Sequence, residues 1–264
     1  MCQSGGVTGG SGGGRADDFL PVEDISVDAP RLAGSTLTTQ RWENLSFLHW
    51  RVDPERVAPL LPPGTVPDVL DGTTWVGLVA FRLVGATIGR GPAVPWLGSF
   101  PESNVRLYSV DRSGRRGVVF CSLESARLAV AIGARAVGVP YTWARMRIRH
   151  IGDEVEYATS RRWPGPRGAG GRIVIRPGRR LGGGTALADF LTARWGAHVF
   201  RAGRLWFVPN RHSRWPLHEA ALVRLEDSLV SAAGLPGVTE RAPESVLWSP
   251  GVETAFARPR LVER

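Results

Sequence analysis

Apolar and polar positions alternate over residues 42–52, the period of a half-buried strand. Asp53-Pro54-Glu55 follows with a capping carboxylate, a proline at the first helical position and an acid in the first turn. Val57, Leu60 and Leu61 give this short helix one apolar face, and Pro62-Pro63-Gly64 stops it. Asp71-Gly72 opens a second strand over 75–83, and a Gly/Pro-rich loop spans 85–98. Residues 103–110 and 117–123 form a predicted hairpin around Ser113-Gly114, and 141–151 with 154–161 a second at Gly152-Asp153. Short strands are expected over 172–176, 199–201, 205–208, 217–225, 246–248 and 252–256. Helices are expected over 126–136, over 186–195 behind the Thr185 cap, and over 226–233. Leu187, Phe190, Leu191 and Trp195 stripe the second of these. Strands outnumber helices, which predicts a mainly β (α+β) protein, an antiparallel barrel or sandwich with helices packed outside. Residues 1–30, rich in glycine and then in acids, read as a disordered tail, and 37–262 as a single domain.

Composition narrows the function classes. With 264 residues and 43% hydrophobic content the chain is long enough for one large core. No apolar run approaches ~18 residues and no basic-then-apolar leader opens the chain, so the expected location is cytoplasmic, with no membrane partner. Cys2 and Cys121 are too few for a disulfide scaffold or a cysteine-rich zinc site. All 33 basic residues are arginine, which removes every mechanism that needs a lysine amine. The first forty residues carry five acids against two arginines, so the net charge of +9 understates the basicity of the body. Such a surface attracts acidic ligands or nucleic acid. The basic stretch from Arg161 to Arg180 is interleaved only by Trp163 and carries no nucleic-acid-binding motif, so nucleic acid is the weakest reading.

The candidate chemistry gathers on one strand. At period 2, Glu102, Asn104, Arg106 and Tyr108 share a face while Val105 and Leu107 take the other. A carboxylate, an amide, a guanidinium and a phenol in one row either meet solvent or line a polar cavity. In a cavity, Arg106 would hold a carboxylate and Glu102 would move a proton once burial raised its pKa. In the next hairpin Arg145, Arg147 and Arg149 alternate with apolar positions, and Glu154 and Glu156 are expected opposite Arg149 and Arg147, leaving Arg145 free for a ligand. The five histidines lack metal-ligand spacing; His49, within Phe47-Leu48-His49-Trp50, reads first as a hydrogen-bonded core histidine and otherwise as one that lines an interior. No metal and no organic cofactor is indicated.

The ordered set Phe47-Leu48-His49-Trp50, Leu60-Leu61-Pro62, Asp71-Gly72-Thr73-Thr74-Trp75-Val76 and Glu102-Ser103-Asn104-Val105-Arg106-Leu107-Tyr108 resembles the YqjF-like family, whose function is unknown. Gly117 to Glu124, Val139-Pro140-Tyr141, Trp215-Pro216-Leu217 and Ser249-Pro250-Gly251-Val252 continue the resemblance, which covers residues 38–261. That family lies in the acetoacetate decarboxylase-like superfamily. The resemblance implies a curved antiparallel sheet closed into a cone-shaped barrel around a pocket, with the Glu102 strand facing that pocket. Where the decarboxylases carry a Schiff-base lysine in Gly-x-Pro-Lys-Lys, this chain has Tyr141 followed by Thr142 in Gly138-Val139-Pro140-Tyr141-Thr142. The expectation is a small-molecule enzyme, a lyase or isomerase that works without lysine on an oxo-acid or polyketide-like compound, by enolisation, dehydration, cyclisation or decarboxylation. Glu102, Arg106 and Tyr141 are the expected catalytic residues, and His49, Asn104, Tyr108, Ser122, Glu124 and Arg145 the substrate-binding ones. The partner is a small anionic or carbonyl-containing ligand; self-association into a homo-oligomer is left open. The alternative is a protein that binds or senses such a ligand without turnover.

Overall fold

The computed structural model describes residues 19–32 and 34–263. Thirteen strands form one sheet: β1 Thr36–Val52, β2 Thr65–Pro67, β3 Thr74–Val84, β4 Phe100–Asp111, β5 Arg116–Ser125, β6 Tyr141–Ile151, β7 Glu154–Trp163, β8 Gly170–Arg180, β9 Gly196–Arg201, β10 Arg204–His212, β11 His218–Asp227, β12 Ser245–Ala257 and β13 Arg260–Leu261. Four helices, α1 Pro54–Val57, α2 Leu128–Ala136, α3 Ala186–Thr192 and α4 Leu229–Ala232, are peripheral. The strand order runs β13-β10-β9-β5-β6-β7-β8-β11-β12-β1-β3-β4-β2, with additional β4–β5 and β10–β12 pairings. The β4–β5 pairing closes nine strands into a ring. A second ring, completed through β9 and β10, shares the arc β12-β1-β3-β4-β5.

That shared arc explains why β1, β3 and β4 carry apolar residues on both faces. On one face Leu48, Trp50, Val76, Leu78, Val105 and Leu107 meet Val155, Tyr157, Ile173 and Ile175 from β7 and β8. On the other, Phe47, Val79, Phe81 and Phe100 pack with Leu217, Leu247 and the flanking Trp42, Tyr141 and Trp215. Helix α2 closes over this second face through Val130, next to Ala126. Helix α3, capped by the Thr185 hydroxyl accepting from the Ala188 N–H at 3.1 Å, adds Phe190 and Leu191 against Tyr108.

Several expectations are corrected. The sheet is not wholly antiparallel: β5 runs parallel to β6 and to β9. β1 begins six residues before the alternation was read, and α3 ends at Thr192 rather than Trp195 because Gly196 begins β9. Glu156 stands in register with Arg149, not Arg147, and β8 takes both acids: Arg172 pairs with Glu156, and Arg176 with Glu154 at 2.7 Å. Residues 19–30, placed in the tail, lie extended against the body. Leu20 and Glu23 donate backbone hydrogen bonds to Arg112 and Gly114 carbonyls, and Arg214 pairs with Asp28 at 2.6 Å. The rest of the expected tail, residues 1–18, lies outside the described residues.

Candidate functional site

The pairing registers arrange the second face of the arc in rows, each spaced from the next by two residues, about 7 Å. His49, Gly77 and Arg106 form one row. Phe47, Val79, Asn104, Leu123 and Tyr141 form the next. Phe81, Glu102 and Ser125 form the third. The polar row read from the β4 sequence therefore faces inward, onto a part-aromatic, part-polar interior.

Glu102 is 3% exposed. Its Oε2 accepts from the Tyr141 hydroxyl at 2.8 Å, and the Asn104 side chain also bonds it. Burial is the dominant influence and raises the carboxyl from its ordinary 4.5 to about 7, against the opposing pull of these two hydrogen bonds. Burial and the neighbouring Glu102 push the Tyr141 phenol well above its ordinary value, so it stays a donor. A carboxyl that exchanges its proton near neutrality beside a fixed phenol is equipped for general acid–base work.

Two rows away, Arg106 donates from Nη2 to the Leu191 carbonyl at 3.2 Å, and its guanidinium carbon lies 5.6 Å from the Phe47 ring. Its Nε is buried without a partner. His49 is 0% exposed, and neither ring nitrogen has a partner. Burial first, then the charges of Arg106 and Arg194, push His49 well below its ordinary value, so the ring is neutral. Gly77 separates the two and lets them meet. A Cβ there would stand 3.2 Å from Arg106 Cγ and Nε and from His49 Cδ2.

Glu102, Asn104, Arg106, Tyr141 and His49 are thus brought to one face. Tyr108 shares it as wall rather than ligand contact, since its hydroxyl is taken by the Leu191 carbonyl at 3.0 Å. Ser122 and Glu124 are not brought there. Val118 and Phe120 stand in register with Tyr108 and Arg106, but the register shifts between Arg106 and Val105. Cys121 is the extra residue of this bulge, and beyond it Leu123 and Ser125 face inward while Ser122 and Glu124 pair with Val105 and Ser103 on the opposite face. There Arg161 holds Glu124 at 2.5 Å, and the Thr142 hydroxyl donates to it. Arg145 is exposed, in register with Ser160.

Two further groups were not among the expected site residues: Arg194, which had no sequence signal, and Trp215, noted only within Trp215-Pro216-Leu217. Arg194 is 5% exposed, pairs with Asp68, and lies 4.8 Å from the Tyr108 ring. Trp215 meets Phe47 edge-on at 5.3 Å, stacks on Trp42 at 6.0 Å and donates to the Thr192 carbonyl at 3.1 Å. It also lines a cavity of about 320 Å³ with Val27, Leu181, Thr192, Trp195 and Leu217. Among the described residues no group of three or more His, Cys, Asp or Glu is arranged to hold a metal ion. No helix among them is long and apolar enough to cross a membrane.

This mainly β fold is shared with solved acetoacetate decarboxylase-like structures. The chain is similar in fold to acetoacetate decarboxylase from Legionella pneumophila (TM-score 0.61, 16% identity, 89% of this chain and 92% of that one). It is similar also to an acetoacetate decarboxylase-like enzyme from Sphingomonas wittichii RW1 (0.59, 15%, 86% and 93%). The enduracididine biosynthesis enzyme MppR, in a structure complexed with pyruvate, matches at 0.59 and 16% over 88% and 92%. The chain belongs to the family DUF2071, uncharacterized conserved protein (COG2071), which matches residues 39–253. The uncharacterized protein YqjF of Bacillus subtilis (strain 168) is 26% identical over 205 residues, 76% of this chain and 84% of that protein.

Proposed function

We propose that this protein is a lysine-independent acid–base enzyme acting on a small carbonyl-containing carboxylate, an oxo acid or a polyketide-like relative. The observation that carries the reading is the buried Glu102 carboxyl, raised to about 7 and bonded at 2.8 Å to Tyr141. Ionised Glu102 takes a proton from the carbon next to the substrate carbonyl. The C–H electron pair becomes the enolate C=C bond, and the carbonyl π pair moves onto oxygen. Tyr141 and the amide of Asn104 donate to the polar groups of that end, and Arg106 holds the carboxylate. Return of the proton completes an enolisation; dehydration, cyclisation or loss of carbon dioxide are further fates of the same enolate. The ring of strands is read as the cone-shaped barrel of the superfamily, with the pocket on the Glu102 face. Because Glu102, Asn104 and His49 are each under 5% exposed, ligand entry requires the cover to move. Trp215, placed between the 320 Å³ cavity and Phe47, is the side chain to displace.

That closed cover also favours a second reading, a protein that sequesters the ligand without turnover. NMR of 4-oxopentanoate, whose carbonyl stands well away from its carboxylate, separates the two by following exchange of the protons beside the ketone for deuterium. The wild type should accelerate exchange, with a rate that rises with pH through about 7 as Glu102 ionises. Glu102→Gln should lose about 10²-fold or more of the acceleration while still binding 4-oxopentanoate. Exchange as fast in Glu102→Gln as in the wild type would overturn the acid–base reading. Binding with no exchange in the wild type would establish the second.

A further inference from the structure

The end of the site opposite Glu102 holds more positive charge than the fold neutralises. Asp68, 2% exposed, is shared between Arg194 and Arg116. Arg106 forms no ion pair among the described residues; its acceptor is the Leu191 carbonyl. Arg116 also has the Glu23 carboxylate beside it, accepting from its backbone N–H at 2.7 Å, so the charge left without a carboxylate is that of Arg106, and arginine does not shed its proton to relieve it. The two guanidiniums of Arg106 and Arg194 both lie against Tyr108, with carbons 5.7 and 4.8 Å from its ring.

Several unused hydrogen-bonding groups belong to three residues, Arg106, Arg194 and His49. Arg106 Nε, Arg194 Nη2 and both nitrogens of His49 are buried and unpartnered. In Arg194 the other nitrogens are committed: Nε donates to the Phe190 carbonyl at 2.8 Å, and Nη1 pairs with Asp68. Only Nη2 is left over. A buried donor without an acceptor is costly, most of all on a charged group, and an oxygen brought by a ligand would satisfy these. Gly77 supplies the space, since a side chain there would push Arg106 and His49 apart.

We propose that Arg194, with Arg106 and His49, forms a carboxylate-binding subsite in which Arg194 is a direct ligand contact and Asp68 a positioning residue. The carboxylate accepts one N–H from each guanidinium and one from the neutral imidazole, leaving Glu102 and Tyr141 to the other end of the molecule. Four residues of β4 separate Glu102 from Arg106, about 13 Å of strand, so the two ends are distinct. The subsite shares its face with the acid–base reading, yet it holds whether or not turnover occurs.

Pyruvate, with methyl pyruvate as its uncharged ester, is the probe, titrated at constant ionic strength by calorimetry. Arg194→Met should weaken pyruvate about 10–100-fold and leave the ester unchanged, the loss expected for one charge-assisted hydrogen bond. Arg194→Lys keeps a cation beside Asp68 but withdraws Nη2, and should weaken pyruvate at least about fivefold; it serves if Arg194→Met fails to fold. In the unaltered protein, saturating pyruvate should shift the His49 ring ¹⁵N resonances, assigned with His49→Gln. Wild-type affinity for pyruvate in either Arg194 variant overturns the proposal. So do unmoved His49 resonances, or failure of pyruvate, malonate and inorganic phosphate all to bind the wild type. Glu102→Gln should bind pyruvate within about threefold of the wild type. Loss of exchange in that variant therefore tests the chemistry, and the Arg194 variants test the anion site.

Discussion

Glu102 and Glu124 lie on neighbouring strands, both buried, and the protein treats them in opposite ways. Glu124 faces the apolar interior of the nine-stranded ring, where Arg161 grips it with Nε at 3.2 Å and Nη2 at 2.5 Å and Thr142 adds a hydroxyl. Glu102 faces the other side of the same sheet with a phenol and an amide as its partners. The arginines divide in the same way. Arg161 spends its guanidinium on Glu124, whereas Arg106 and Arg194 keep buried N–H groups unspent. A saturated pair locks two strands together; an unsaturated set waits for something from outside. Burial alone therefore does not mark a site. Here the distinguishing feature is buried charge with hydrogen-bonding capacity left unmet.

The sharpest way to break this comparison is to remove the locking arginine. Arg161→Met strands the Glu124 charge in the interior and should cost about 3–5 kcal/mol in chemical denaturation at pH 7. The double variant with Glu124→Gln should recover much of that. A loss under about 1 kcal/mol would mean that the pair is not a lock. The next effect concerns Glu102. Its folded value, raised to about 7 from 4.5, means that the native state binds the proton more tightly than the unfolded chain does. Its stabilising contribution is then complete below about pH 4.5 and is lost as the pH climbs through about 7, a swing of roughly 3 kcal/mol. Glu102→Gln cannot titrate, so its stability should gain on the wild type by that amount between pH 4.5 and 8; parallel pH profiles would contradict the assignment. The smallest effect is a control. Arg145→Ala, on the exposed side of β6, should change stability by less than about 0.5 kcal/mol and pyruvate affinity not at all.

Part of this was legible in the sequence. The alternation from Glu102 to Tyr108 gives the row correctly because β4 is regular along those residues and period 2 needs no tertiary information. Tyr141 was reached only through the family resemblance, since β6 joins β5 by a parallel pairing that no local pattern announces. Ser122 and Glu124 were misplaced for a local reason. Even-numbered positions of β5 face inward up to Phe120, and one bulged residue, Cys121, reverses the parity. Arg194 was invisible for a non-local reason: its ion-pair partner Asp68 is 126 residues away, and α3 stops before reaching it. The stripe of Leu187, Phe190 and Leu191 gave α3 its buried face, but no periodic signal tells where a chain leaving a helix sets its next side chain.

The strand order has a consequence for how copies of the chain meet. It terminates at β13 with two residues and at β2 with three, but β6 after Trp143 pairs only with β7, and β11 after Glu219 only with β8. Arg260 stands within the β13 end and Pro67 closes the β2 end, a charge and a missing N–H at two places where edge-to-edge growth could begin. The two ends of the strand order are thus blunted, and strand pairing between copies would fall to the one-sided stretches of β6 and β11.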